Sequence, residues 1–153
     1  MIIGWREWVV LPELGIPGIK AKVDTGAKTS ALHTFNVEVV EKDGREYARF
    51  LVHPDQQRDD LVLSCEAPVI DKRPVRDSGG HVEDRYVIET LFELGGKRMP
   101  IEITLTNRDD MLFRMLLGRS ALVKAGFTVN PELSYATGDA PVDLNARLEE
   151  LSQ

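Results

Sequence analysis

The stretch IKAKVDTGA at residues 19–27 is the most informative part of this sequence. Residues 19–23 alternate apolar and basic side chains, which predicts a half-buried β-strand that ends at Asp24. Thr25 and Gly26 then predict a tight turn, because glycine lets the backbone turn without a Cβ. The stretch therefore predicts a strand that delivers a carboxylate into a loop.

Several segments on either side of this stretch have the composition of short strands. The cluster GIPG at residues 15–18 predicts a turn between residues 5–11 and the strand that ends at Asp24. The dipeptides Asp43-Gly44 and Gly95-Gly96 each lie between two strand-like runs, which predicts two β-hairpins. These runs are residues 34–41, 45–52, 86–94 and 99–106, and further strands are expected at residues 61–70 and 115–118.

Two other segments differ from this pattern. Residues 71–84 carry many charges around Ser78-Gly79-Gly80, which predicts a mobile loop or a hairpin tip. Residues 119–125 have the pattern of a short helix. Roughly seven to nine short strands with one short helix predict an all-β domain, either closed or sandwich-like.

Length and charge limit the domain organisation and the partners. The 153 residues suffice for one hydrophobic core, so one domain is expected at residues 1–137. Residues 138–153 are polar and are interpreted as an appendage, with a weak amphipathic helix at residues 141–151. The formal net charge of −6 disfavours a chain that neutralises phosphates, so nucleic acid is not expected as a partner.

The cysteine content and the apolar segments indicate the compartment. Cys65 is the single cysteine and is interpreted as a core residue, which fits a reducing environment. Residues 1–14 carry Arg6 and Glu7 inside their apolar stretch, unlike a secretory signal. No window approaches the roughly 18 apolar residues of a membrane-spanning helix. A cytoplasmic protein without a membrane partner is expected.

The tripeptide Asp-Thr-Gly indicates a function only in combination with a second motif. Alone it arises by chance in roughly a few per cent of chains this long, and Asp24 could then be a turn residue that caps the next segment. Here the motif LLGR follows far downstream at residues 116–119 and runs into the predicted helix. The two motifs together favour a catalytic role for Asp24.

The order of these parts resembles the retropepsins, one-lobe aspartic proteases of the retroviral type, over residues 19–131. The resemblance implies a closed β-barrel with one short helix, in which the loop of residues 24–27 carries the catalytic aspartate. It also implies a flap at residues 74–87 with its tip at Ser78-Gly79-Gly80, and a brace for the loop at residues 115–122.

Three runs resemble a bacterial retropepsin-like family more narrowly: residues 22–32, 105–108 and 116–119. Members of that family are associated with ATP-grasp glutamate ligases and have been labelled "ATP-dependent zinc protease". The sequence has no Gly-x-x-x-x-Gly-Lys-Ser/Thr loop for a nucleotide, and its three histidines lack the His-Glu-x-x-His spacing of a zinc site. No metal or other cofactor is therefore expected, and a functional link to such a ligase is implied by the resemblance.

Aspartic protease chemistry needs two facing carboxylates that share a proton, one acting as base toward a water while the other protonates the carbonyl. The chain has one Asp-Thr-Gly, so a homodimer is expected to supply Asp24 twice. Thr25 and Gly26 complete the predicted catalytic loop, the Thr25 hydroxyl by a hydrogen bond across the dimer. Asp109-Asp110 is an alternative source of a second carboxylate, although turn chemistry explains that pair.

The predicted substrate is an acidic or glutamate-rich peptide. Viral relatives often carry acidic residues at the two positions where this chain has Lys28 and Thr29. Lys72, Arg73, Arg76 and Arg85 lie in or near the predicted flap, so a cleft that selects acidic side chains is expected. The predicted substrate-binding residues are Ala27, Lys28, Thr29, Arg73, Arg76, Ser78, Gly79 and Gly80.

Less specific interpretations stay open for these features. The charges at residues 71–85 could belong to a solvated loop. Arg119 could form a structural salt bridge or a dimer contact. The alternative function is a catalytically silent module that keeps the fold and binds acidic peptides.

Overall fold

The computed structural model describes residues 1–76, 79–107 and 112–152. Its strands are β1 (Ile2–Ile3), β2 (Arg6–Leu11), β3 (Ile16–Asp24), β4 (Ser30–His33), β5 (Phe35–Lys42), β6 (Arg45–Val52), β7 (Leu63–Arg76), β8 (Val82–Leu94), β9 (Lys97–Thr106), β10 (Met115–Gly118) and β11 (Thr128–Val129). A 3-10 helix at Pro12–Leu14 and the helices α1 (Arg119–Ala125) and α2 (Leu144–Leu151) complete the described elements. The predicted all-β class is confirmed.

Nine strands form one sheet, in the order β2-β3-β10-β4-β9-β8-β7-β6-β5. Val10 pairs with Glu93 and so joins β2 to β8. The six strands β2, β3, β10, β4, β9 and β8 therefore close into a ring. The side chains that fill its core are apolar and almost inaccessible to solvent, which stabilises the fold through the hydrophobic effect. They include Ile19, Leu32, Ile88, Ile103 and Leu117.

Both predicted hairpins are confirmed. Asp43 and Gly44 have φ angles of 52° and 77°, and Gly95 and Gly96 have φ angles of 58° and 80°. Positive φ at both central positions matches the twist of antiparallel strands in two-residue hairpins. These turns fix the register of β5 with β6 and of β8 with β9.

Residues 71–84 were predicted to be a mobile loop or a hairpin tip, and they belong to a hairpin in which residues 71–76 and 82–84 are strand. Residues 71–76 continue β7 and pair with β8, with Arg76 opposite Val82. The residues of this ribbon alternate in exposure, so Arg73 and Val75 are half-buried whereas their neighbours are exposed. Charged side chains on the outer face therefore made a strand resemble a loop. Gly79 and Gly80 of the predicted tip lie between the paired residues Arg76 and Val82, and Ser78 lies outside the described residues.

The helices follow the predicted segments. Helix α1 has the predicted bounds and ends at Gly126, whose φ is 73° and whose N–H is donated to the carbonyls of Leu122 and Val123. Helix α2 lies within residues 141–151 and buries Leu144 and Leu148 in the same core. The domain boundary at residue 137 stays a prediction. Within the described ranges, neither helix has the length and apolar character needed to cross a bilayer.

A buried carboxylate ties the start of the chain to residues 136–137. Glu7 is fully buried, and its Oε2 accepts the N–H groups of Gly4 at 2.7 Å and Ala136 at 2.9 Å. Its Oε1 accepts the N–H and the hydroxyl of Thr137 at 3.1 and 2.9 Å. These donors offset the cost of burying a charge, so this part of the fold depends on a polar contact between distant positions.

Cys65 lies in the core as predicted, with 4% of its surface exposed. Burial raises the pKa of its thiol from 9.0 to about 12. We expect no reaction of the native protein with a thiol reagent at pH 8, and one equivalent of thiol to react after unfolding in guanidinium.

The same pKa shift predicts a loss of stability in alkali. The unfolded chain releases the thiol proton above pH 9.0, whereas the folded chain keeps it to about pH 12, so the free energy of unfolding falls between these values. Chemical denaturation of the wild type and of Cys65→Ala across this range isolates the contribution. Identical pH profiles for the two proteins would contradict it.

Candidate active site

Strand β10 lies between the two strands that flank the Asp24 loop. It runs parallel to β3, with Gly118 opposite Asp24, and antiparallel to β4, with Leu116 opposite Ala31. Residues 25–29 therefore connect two strands that are both hydrogen-bonded to β10. This arrangement fixes both ends of the loop against the centre of the sheet.

Asp24 is half-buried at the end of β3. Its Oδ1 accepts the N–H of Gly26 at 3.0 Å, and its carbonyl accepts the N–H of Ala27 at 3.3 Å. The first bond orients the carboxylate within the turn. Among the described residues no donor bonds to Oδ2, so one carboxylate oxygen is left for a water or a substrate.

The start of α1 braces the loop through backbone groups. The N–H groups of Arg119 and Ser120 are donated to the carbonyls of Ala27 at 2.7 Å and Lys28 at 2.9 Å. The Ser120 hydroxyl also bonds to the Lys28 carbonyl, at 2.7 Å, and Nη1 of Arg119 is donated to the Thr25 carbonyl at 3.0 Å. Arg119 thus contacts a loop carbonyl, a contact that differs from the salt bridge considered from the sequence.

Gly118 is the point of closest approach between the brace and the loop. Its N–H bonds to Oγ of Ser30 at 3.0 Å. A Cβ at this position would lie 2.5 Å from the carbonyl carbon of Thr29 and 2.7 Å from its oxygen. Backbone atoms cannot yield as a flexible side chain can, so only glycine fits here.

A groove of about 720 Å³ lies between the Asp24 loop and the β7–β8 hairpin. Several predicted site residues line it together: Asp24, Gly26, Ala27, Lys28, Thr29, Arg73 and Arg76. Thr25, Gly79 and Gly80 are exposed and, in the part of the chain that the structure describes, do not line it. The structure therefore places residues of the predicted loop and the two arginines at one cavity, which Gly79 and Gly80 do not line.

The groove has further lining residues: Arg85, which the sequence indicated only as one of several cations in or near the flap, and Ala31, Pro74, Val75, Thr104 and Leu116, which were not predicted to bind substrate. The pairing register explains the most polar of them, because Arg85 lies directly opposite Arg73 on the hairpin. The alternation of side chains along β8 could be read from the sequence, but the register of β8 against β7 could not. Lys72, by contrast, places its Nζ 5.0 Å from the centre of the Tyr86 ring and does not line the groove in the described structure.

The cationic side chains of the groove differ in whether a carboxylate of the same chain binds them. Arg73 donates Nη2 to Glu102 and Nε to Asp71, each at 3.0 Å. The hydrogen bond to Glu102, and then that to Asp71, raises the pKa of Arg73. Lys28 and Arg76 are exposed at the edge of the groove. Asp24 is the single acidic residue among the described lining residues.

The three histidines do not form a cluster. His33 is buried on β4, and the ring of His53 stacks on Phe35 with 4.4 Å between centroids. His81 is exposed beside the hairpin tip. Across the described ranges, no group of three or more His, Cys, Asp or Glu side chains is placed to hold a metal ion. Asp109 and Asp110 lie outside these ranges.

The closed ring of strands, the Asp-Thr-Gly loop braced by a Gly-Arg-helix segment and the hairpin facing it define a retropepsin-like protein. The family model described as "Retropepsin-like aspartic endopeptidase RimB" (RimB-like) matches residues 2–139. The chain belongs to this RimB-like family.

Curated relatives extend well beyond the matched region. The chain is 49% identical over 138 residues to a "Probable alpha-L-glutamate ligase" of Desulfotalea psychrophila, covering 90% of this chain and 30% of that protein. It is 48% identical over 143 residues to a protein with the same description from Parasynechococcus marenigrum, covering 94% and 30%. The chain thus spans about 30% of the length of these relatives.

A solved structure gives an independent comparison of the fold. The crystal structure of the Legionella pneumophila protein Lpg0085, described as having unknown function, superposes with a TM-score of 0.76. The two sequences are 33% identical, and the match covers 89% of this chain and 97% of the other. The fold is therefore shared over nearly the whole of the Legionella chain.

Proposed function

We propose that this chain is an aspartic endopeptidase that acts as a homodimer, with one Asp24 from each subunit. The observation that carries the proposal is the position of Asp24, half-buried at the groove with Oδ1 fixed by Gly26 and Oδ2 unbonded among the described residues. The membership in the RimB-like family supports the same reaction class. The single buried thiol suits a reducing compartment, so we place the reaction in the cytoplasm.

The reaction follows from two carboxylates that share one proton. The ionised Asp24 removes a proton from a water as the water oxygen attacks the peptide carbonyl carbon. The protonated Asp24 of the partner subunit gives its proton to the carbonyl oxygen. When the tetrahedral intermediate collapses, the Asp24 that took the water proton gives it to the leaving nitrogen and the C–N bond breaks. The partner subunit's Asp24 takes a proton from one hydroxyl of the intermediate, which becomes the carbonyl of the product acid, and the shared proton is restored. No metal or nucleotide takes part in these steps.

We propose acidic or glutamate-rich peptides as the substrate class. Lys28, Arg73, Arg76 and Arg85 line the groove against one acidic residue in the described chain, which favours ligands that bring carboxylates. The curated relatives are described as probable glutamate ligases, so a polypeptide carrying added glutamates is a chemically consistent substrate. A functional link to an ATP-grasp glutamate ligase is part of this proposal.

The second candidate function is a silent module that binds an acidic peptide. The observation that favours it is that one chain brings one carboxylate, Asp24, to the groove within the described residues. A monomer would lack the second group of the dyad and would retain the cationic groove. The oligomeric state therefore separates the two candidates.

We expect the active species to be a dimer. Peptidase activity per subunit is expected to fall as the protein is diluted through the dissociation constant of the dimer, because a separated subunit keeps one carboxylate. Sedimentation or light scattering at the same concentrations gives the dimer fraction. Activity that stays constant while the dimer dissociates would overturn the shared-dyad mechanism.

A further inference from the structure

Arg85 is the most deeply buried cation of the groove. Only 7% of its surface is exposed, yet it is one of the lining residues. Its Nε donates to Oε1 of Glu83 at 2.6 Å, and the same oxygen accepts the hydroxyl of Thr106 at 3.0 Å. The ion pair therefore holds the guanidinium through one nitrogen.

The guanidinium of Arg85 has further donors besides Nε. Nη1 and Nη2 of Arg85 make no hydrogen bond within the described part of the chain. Neither nitrogen is among the described side-chain atoms that are both fully buried and unbonded, so both keep some access to solvent or to a ligand. An arginine offers its two terminal nitrogens as a fork that fits a carboxylate. Among the described residues, the fork of Arg85 thus has no anionic partner.

The other cations of the groove do not share this property. Arg73, directly opposite Arg85 on the hairpin, is engaged by Asp71 and Glu102. Lys28 and Arg76 are exposed, where water competes for their donors and salt screens their charge. Discrimination between a charged and a neutral side chain is greatest where water is excluded, so Arg85 is the residue best placed for it.

We propose that Arg85 is the specificity-determining residue that binds a carboxylate of the substrate through Nη1 and Nη2. The proposal rests on the proposed function, because it assigns a role within the same groove. Glu83 holds Nε, so the fork of this groove-lining residue is left for a ligand. The ligand class is a peptide with an acidic side chain.

The test compares two peptides, one carrying a run of glutamates and one with glutamine at each of those positions. We expect the wild type to show a higher kcat/KM for the glutamate peptide, and Arg85→Met to reduce the ratio of the two kcat/KM values by about tenfold to a hundredfold. Arg45→Met is the matched control. Arg45 is exposed at the β5–β6 turn, away from the groove, so this variant removes the same charge and is expected to keep the wild-type ratio.

A binding measurement makes the outcome independent of turnover. In the Asp24→Asn background, the affinity for the glutamate peptide is expected to fall about tenfold or more when Arg85→Met is added. If the wild type cleaves neither peptide but this loss is seen, the proposed function fails and the role of Arg85 stands. If the wild type cleaves and Arg85→Met keeps the full ratio, the role of Arg85 is overturned and the function stands.

Arg85→Lys is a second variant for the case that Arg85→Met does not fold. It keeps the charge but loses the fork, and circular dichroism reports whether either variant is folded. If Arg85→Met does not fold, a reduced ratio in folded Arg85→Lys supports the proposal, whereas a full wild-type ratio in that variant overturns it. Failure of the wild type to prefer glutamate in both binding and cleavage also overturns it.

Discussion

Replacing Asp24 by asparagine is expected to lower kcat by about a hundredfold to ten-thousandfold, the usual contribution of general acid–base catalysis. The amide oxygen can still accept the N–H of Gly26 that Oδ1 accepts at 3.0 Å, so the loop keeps its conformation. The amide cannot take up or release the shared proton. In a homodimer both members of the dyad are changed at once, which makes this the largest expected effect on activity.

Asp55→Asn is a matched control for this substitution. Oδ1 of Asp55 accepts the N–H of Gln57 at 2.9 Å, two residues on, in the same local geometry as Asp24 and Gly26. Asp55 does not line the groove in the described structure, so its variant is expected to keep wild-type turnover. Initial rates on the glutamate peptide measure the turnover of each variant, and the free energy of unfolding shows whether each variant is folded. Full activity in folded Asp24→Asn would remove Asp24 from the reaction.

Gly118→Ala is expected to lower the free energy of unfolding by about 3 kcal/mol or more, or to prevent folding. The added methyl group would lie 2.5 Å from the carbonyl carbon of Thr29 and 2.8 Å from the nitrogen of Ser30. Relief requires the Asp24 loop to separate from β10, so any folded fraction is also expected to lose activity. Urea denaturation measures the first effect and peptide cleavage the second.

Gly44→Ala separates this steric effect from ordinary glycine strain. Gly44 has a φ of 77° and open space around a Cβ, so alanine there costs about 1 kcal/mol through the left-handed backbone alone. It lies in the β5–β6 turn, away from the groove, and activity is expected to persist. Equal losses of stability in Gly44→Ala and Gly118→Ala would show that the close approach to Thr29 does not matter.

The local elements of the fold could be predicted because their causes are local. Asp43-Gly44 and Gly95-Gly96 adopt positive φ where the strands must reverse, a preference carried by those residues themselves. The bounds of α1 follow from its side-chain pattern and from Gly126 at its end. Residues 71–76 were not predicted as a strand, because an exposed ribbon strand and a loop have the same polar composition.

The assembly of the site could be predicted only in part. The resemblance indicated that residues 115–122 brace the Asp24 loop, and the bonds of Arg119 and Ser120 to that loop give this brace its geometry. The sequence did not distinguish Arg85 from Arg73, since their difference lies in which carboxylates reach them. Such pairing depends on strand register, and a shift of one residue would place these side chains on the opposite face.

From the sequence alone, the motifs at residues 22–32, 105–108 and 116–119 indicated the retropepsin-like family. The strand that ends at Asp24 and the hairpin turns could also be predicted, because each depends on residues that are adjacent in the chain. Which side chains meet followed from the tertiary structure. It brought Gly118 against Thr29 and closed the ring through β2 and β8. It also placed Arg85 in the same groove as Asp24, with its fork bonded to no described residue. These contacts join distant positions, and their energies depend on burial and register, which no local pattern encodes.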